Sequence, residues 1–200
     1  MDMTIMSLKL IVKRCRMNKL SDEWCTPQWL FDELHKEFNF TVDLCATENN
    51  KKCKYFSSDC IYNIYFVEKD NALNLDKEYV AGPYFMNPPY SNPLPFVDAA
   101  WTKSLHNVVV CLLKCDPSTK WWAIFWDHET NKPRPGCEVR FLSKRVKFDP
   151  PSKEVLCDFL KYGTEKDKKL AAKLLTGKIT TPAFPSAIVI MDRRNTDEKN

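Results

Sequence analysis

Residues 107–113 read Asn-Val-Val-Val-Cys-Leu-Leu. No polar residue interrupts Val108 to Leu113, so a strand here has no wet face and needs apolar cover on both sides. The run is too short for a typical helix and rich in β-branched residues. It predicts a central strand of a sheet sandwiched between helices. The rest of the chain supplies such layers. Leu30, Phe31, Leu34 and Phe38 recur at helical spacing, with Thr26 as N-cap and Pro27 at the first helical position. Phe40–Cys45 reads as a short strand ending in the polar turn 47–50, and Ile61–Val67 is β-prone. Tyr84–Met86 is a strand that stops at Asn87. Pro93 and Pro95 suit a helix's first turn, continued by Leu94, Val97, Trp101 and Leu105. A loop and an aromatic helix fill 116–127, and 138–148 has a hairpin pattern. Lys166–Leu175 is a basic helix and Ala187–Met191 a last strand. Alternating strands and helices predict an α/β fold with a mostly parallel sheet.

Composition narrows the options only a little. The net charge of +4 on 200 residues permits a nucleic-acid partner without requiring one. Nine cysteines, none in a CxxC pair, and three scattered histidines lack zinc-site spacing and fit reduced thiols in a cytoplasm. No metal is expected. No apolar stretch is long enough for a membrane span, so no membrane partner is expected either. Lys9, Lys13, Arg14, Arg16 and Lys19 make residues 1–20 a basic arm, and 21–200 reads as one domain.

The tetrapeptide Asn87-Pro88-Pro89-Tyr90 follows the strand 84–86 directly. An aromatic exocyclic amine is a poor nucleophile because its lone pair is delocalised into the ring. Two acceptors aimed at its hydrogens favour tetrahedral geometry and orient the lone pair. Asn87 offers a side-chain oxygen and Pro88 a backbone carbonyl. Consecutive prolines fix φ and remove backbone donors, which keeps such acceptors preorganised. Tyr90 offers a ring face for a base taken out of its stack. The same four residues also suit a plain proline turn closing a strand.

Three acids precede that turn. Asp43 ends the first predicted strand, Glu48 lies in the turn after it, and Asp70 follows the next β-prone segment. Open α/β sheets bind ligands at the carboxyl ends of their strands. Acceptors there suit a nucleoside with a cationic amino-acid tail, though each acid alone also reads as a solvated loop charge.

The order of these motifs resembles S-adenosylmethionine-dependent amino-methyltransferases, and more closely the phage Dam-like DNA adenine-N6 methyltransferases. The likeness runs through DEWCTPQWLFDELHKEF, VDLCATENNKKCKYF, MNPPYSNPLPFVDAAW, CDPSTKWW and EVRFLSKRVKF. It implies a Rossmann-like methyltransferase fold with an antiparallel C-terminal strand. It implies cofactor contacts from Trp24, Thr26, Pro27, Asp43, Ala46, Glu48, Asn49, Asp70, Ala72, Leu73 and Asn87. It implies that Asn87, Pro88, Pro89 and Tyr90 hold a flipped adenine while methyl passes directly from sulfonium to amine. The turn Leu44-Cys45-Ala46-Thr47 differs from the glycine-rich turn common in methyltransferases.

Ser118, Lys120 and Trp121 or Trp122 follow the central strand and are candidates for meeting phosphate or lining a base pocket. Arg140, Lys144, Arg145 and Lys147 share the expected hairpin and suit phosphate tracking as well as a solvated face. The expected partner is double-stranded DNA, met in a host-cell cytoplasm by a monomer or weak dimer. Other amines (cytosine-N4, RNA, a protein glutamine) and a catalytically dead DNA-binding relative stay open as alternatives.

Overall fold

The apolar run becomes a buried strand, β4 (Val109–Lys114), in a six-stranded sheet among the described residues. The computed structural model describes residues 19–47, 50–56, 82–177 and 184–196. The other strands of this sheet are β1 (Val42–Asp43), β2 (Tyr55–Phe56), β3 (Tyr84–Met86), β7 (Cys137–Phe141) and β8 (Ser186–Met191). Their order is β2-β1-β3-β4-β8-β7. The first four run parallel; β8 is antiparallel to both β4 and β7. The fold is therefore the Rossmann-like α/β arrangement expected, with its antiparallel C-terminal strand.

The pleat explains which residues bury where, since alternate side chains take opposite faces. Tyr84, Met86, Val109, Cys111, Leu113, Ala187, Val189 and Met191 share one core. Helix α2 (Leu94–Lys103) contributes Val97 and Ala100 to it. Phe85 takes the opposite face and meets Phe31 of α1 (Gln28–Phe38) edge-on at 5.3 Å. Phe40 joins that aromatic cluster at 5.4 Å from Phe85. Each fully buried large side chain here contributes roughly 1.5–3 kcal/mol.

These residues belong to one of two compact units, residues 26–148 with 184–196. The other unit holds described residues 19–25 and 149–177. It carries helices α3 (Lys153–Tyr162) and α4 (Glu165–Leu175). α3 went unread in the sequence, although Ser152 caps Val155 N–H at 3.3 Å and Leu156 and Phe159 are buried at helical spacing. In α4, Thr164 and Asp167 form a capping box. The same Asp167 accepts from Leu20 N–H at 3.1 Å, closing this unit on itself.

Three expectations need correcting. The N-cap of α1 is Pro27, not Thr26, and its carbonyl receives the N–H groups of Leu30 and Phe31, both at 3.2 Å. Residues 138–148 do not form a hairpin. β7 pairs with β8 instead, because β8 is buried throughout and needs a neighbour on its second edge. Within 116–127 only Trp122–Ile124 is helical, as a single 3-10 turn, followed by the two-stranded β5 (Trp126–Asp127) and β6 (Lys132–Pro133). The β-prone segment 61–67 lies outside the described residues.

Gly82 sets the start of β3. Its φ is +126°, and a Cβ there would fall 2.6 Å from Thr41 Cγ2. Gly82→Ala should lower stability by about 2 kcal/mol or more in urea unfolding. Gly177→Ala, at φ +76° in open space, should cost only about 1 kcal/mol.

Candidate active site

From β1 the chain passes out to β2, then returns to β3 on the other side of β1. That reversal is a topological switch point, where adjoining loops leave in opposite directions and open a crevice beyond the strand ends. β1 and β3 border it. Asp43 pairs in register with Phe85, and Leu44 N–H extends the pairing to Phe85 O at 2.9 Å. Asn87 stands two residues beyond Phe85. The expected acid and the expected proline turn thus leave neighbouring parallel strands at the same end of the sheet.

Asp43 is 3% exposed. Its Oδ2 accepts from Lys52 N–H at 3.1 Å and its Oδ1 from Cys45 N–H at 3.4 Å. Burial pushes its carboxyl up to about 6, and those two amides only partly counter it. The carboxylate therefore folds the turn around itself while remaining short of positive charge. Lys52 Nζ does not close on it, since it donates to Gln28 Oε1 at 2.9 Å. That bond ties the turn to the first residue of α1.

At β3's end the Tyr90 hydroxyl lies 2.9 Å from Asn87 Oδ1 and 3.0 Å from the Leu112 carbonyl oxygen. Burial raises the phenol far above its ordinary value, so it stays protonated. The Tyr90 ring meets Phe148 and Phe184 edge-on, with centroids 6.0 and 5.1 Å away. These phenylalanines were not singled out from the sequence. The alternation Val146, Phe148 in VKF was the available signal, and both are buried. Phe184 sits between Pro182 and Pro185 and carries no comparable signal.

Thr26 and Ala46 are buried in the same unit, and Trp24 is buried in the other. Glu48, Asn49, Asp70, Ala72 and Leu73 lie outside the described residues. Ser118 and Lys120 are exposed on the loop after β4, with Ser118 donating to Asp116 Oδ1 at 2.9 Å. Trp121 and Trp122 are both core, 7% and 0% exposed, which leaves Trp121 little ring to offer a base. Arg140 departs from the expected phosphate contact. Glu37 binds its guanidinium in a fork at 2.7 and 2.8 Å, and Glu138 takes its Nε at 2.5 Å. Lys144, Arg145 and Lys147 are exposed after β7's carboxyl end, without a partner among the described residues.

A mostly parallel sheet with an acid at one strand end and a proline turn at the next fits the Rossmann-like methyltransferase fold. Comparison with known proteins agrees. Residues 15–159 match the family described as DNA N-6-adenine-methyltransferase (Dam), and the chain belongs to that family. It is also 45% identical over 106 residues to the DNA N-6-adenine-methyltransferase of Haemophilus phage HP1 (strain HP1c1). That match covers 50% of this chain and 54% of the relative, so the chain spans about half the length of the curated relative it matches. Among the described residues no cluster of three or more His, Cys, Asp or Glu could hold a metal, and no helix is long and apolar enough to cross a membrane.

The Asp43 shift carries a sign. The folded protein holds a proton that the unfolded chain releases near 3.8, so the neutral acid stabilises the fold at low pH. Asp43's contribution to stability should be lost as pH rises from about 4 to about 6, then stay level. Urea titrations from pH 4 to 7 should show this falling step, relative to Asp43→Asn, in which it is absent. Parallel curves for the two proteins would refute it.

Proposed function

We propose that this chain is an S-adenosylmethionine-dependent methyltransferase acting on the adenine N6 amine of double-stranded DNA. The observation that carries the reading is the meeting of Asp43 and the Asn87-Pro88-Pro89-Tyr90 turn at one switch point, in a chain of the Dam family. The family match crosses both compact units, which favours treating residues 21–200 as one working domain.

The residues present fit the cofactor. Asp43 is a buried carboxylate met by backbone amides and still held at a raised value, so a cationic amino-acid tail is the partner it lacks. Thr26 and Pro27 precede Gln28, which Lys52 ties to the turn after β1, and with Ala46 they would contact that tail. Glu48, Asn49, Asp70, Ala72 and Leu73 would serve its ribose and adenine, as the family resemblance implies. When bound, the cofactor supplies an electrophilic methyl on a sulfonium.

The chain's own groups do the rest. Asn87 Oδ1 and the Pro88 carbonyl accept the two amine hydrogens and localise the nitrogen lone pair. An amide oxygen has two lone pairs, so Asn87 can accept from the amine without losing Tyr90. Pro88 and Pro89 keep both acceptors fixed, which lowers the reorganisation needed at the moment of transfer. Tyr90's half-buried ring offers a stacking surface for the extruded base. Ser118 and Lys120, with Lys144, Arg145 and Lys147, lie on loops after the carboxyl ends of β4 and β7, where they would position phosphates. Arg140, held by two carboxylates, is left out of that role.

Two measurements check the assignment. Asn87→Ala should lose about 100-fold in single-turnover methylation of adenine in duplex DNA, with cofactor affinity changed less than about threefold. Near-full rate would refute the role given to Asn87. Replacing Lys144, Arg145 and Lys147 together by Ala should reduce the slope of log affinity against log salt by about 2 to 3, while Arg140→Ala leaves it unchanged. An unaltered slope in the triple variant would move the phosphate contacts elsewhere.

A further inference from the structure

Nothing in the proposed reaction uses α4. The helix lies beyond residues 15–159 of the family match, in the compact unit that holds described residues 19–25 and 149–177. Its buried face is Asp167, Ala171 and Leu174. Lys166, Lys169 and Lys173 are all exposed. At 3.6 residues per turn these three fall within about 60° of one another around the axis, along a rise of roughly 10 Å. They form one basic stripe.

Such a stripe is unfavourable on its own. Lys166 and Lys169 are i,i+3 neighbours, Lys169 and Lys173 are i,i+4 neighbours, and like charges at these spacings repel. Lys166 also stands in the first turn, where the helix dipole disfavours a cation. The acids of α4 give no relief. Asp167 is buried and accepts from Leu20 N–H at 3.1 Å, Thr164 N–H at 3.3 Å and the Thr164 hydroxyl at 2.6 Å. Glu165 pairs with Lys168 at 2.9 Å. None of the three lysines has a carboxylate partner among the described residues. A face that only has to be wet usually intersperses both signs.

We propose that the Lys166, Lys169 and Lys173 face of α4 is a phosphate-contacting surface for double-stranded DNA, additional to the basic residues after β7. This rests on the DNA reading above and gives a role to a helix which that reading does not use. Duplex DNA carries one negative charge per about 1.7 Å of axis, so about six phosphates run alongside a stripe of this length. An ammonium on a flexible stem is a point charge, suited to following a backbone rather than to reading base edges. Contact would release condensed counterions and relieve the lysine–lysine repulsion together. The surface would add affinity equally across sequences.

The repulsion supplies the test. Lys166→Gln, Lys169→Gln and Lys173→Gln together remove the charge at nearly constant helix propensity. Duplex binding would be followed by fluorescence anisotropy between about 50 and 200 mM salt. The triple variant should lower the slope of log affinity against log salt by about 2 to 3 and weaken binding about tenfold or more. The same three positions changed Lys→Arg should keep both values. Urea unfolding of the Gln variant should have a midpoint equal to or above that of the wild type, because like charges have been removed. A wild-type slope in the Gln variant would overturn the proposal. So would weakened binding with a lowered urea midpoint that the Arg variant fails to restore, which is what a structural role predicts. A loss confined to single-stranded RNA would assign the face to another polymer and overturn the duplex claim. Duplex binding by a wild-type protein that methylates no adenine would instead sink the functional reading, while the slope still judged the stripe.

Discussion

The parallel pairing of β1 with β3 is the contact on which the site depends. β1 is two residues long and β3 three, so their alignment rests on Val42 with Tyr84, Asp43 with Phe85, and one further bond from Leu44 N–H to Phe85 O. Strands this short have little pairing energy of their own. Burial fixes their register: a slip by one residue would turn Phe85 away from the aromatic cluster under α1 and drive Tyr84 and Met86 out of the opposite core. The same packing that stabilises the sheet therefore sets how far Asp43 stands from Asn87.

The two sides of the crevice handle polarity in opposite ways. On β1's side a buried carboxylate gathers backbone amides and remains raised to about 6, a condition that favours a cationic visitor. On β3's side the acceptors are neutral and stiffened by proline, which suits hydrogens of an uncharged amine. Under the proposed function, one site would draw a positively charged donor of methyl and a neutral acceptor of it into neighbouring places without either competing for the other's contacts. The basic residues Lys144, Arg145 and Lys147 lie past β7's carboxyl end, outside both, where a polyanion would meet them.

Much of this was legible in the sequence, and for physical reasons. Continuous apolar runs such as 107–113 and 187–191 bury on both faces whatever their neighbours do, so β4 and β8 emerged within two residues of their expected bounds. The end of β3 before Asn87-Pro88-Pro89-Tyr90 was readable because proline restricts its own backbone locally. Partner choice was not readable. The pattern at 138–148 suits any extended segment, and only the unfilled edge of β8 decides that β7 pairs there rather than folding back on 144–148. Arg140 looked like its basic neighbours until α1 brought Glu37 to within 2.7 Å across 103 positions. The fate of Trp121 likewise depended on the packing of Trp122 and Phe125 around it.

The most direct test of the central claim is the identity of the methylated product. The purified protein would be incubated with methyl-labelled S-adenosylmethionine and unmethylated duplex DNA, and the DNA digested to nucleosides. Label on the N6 of deoxyadenosine is the result expected from Asn87 and Pro88 holding an adenine amine. Label on cytosine N4 would keep the amine chemistry and contradict the base. DNA without label, from protein that binds the cofactor, would contradict the claim that this crevice methylates DNA at all.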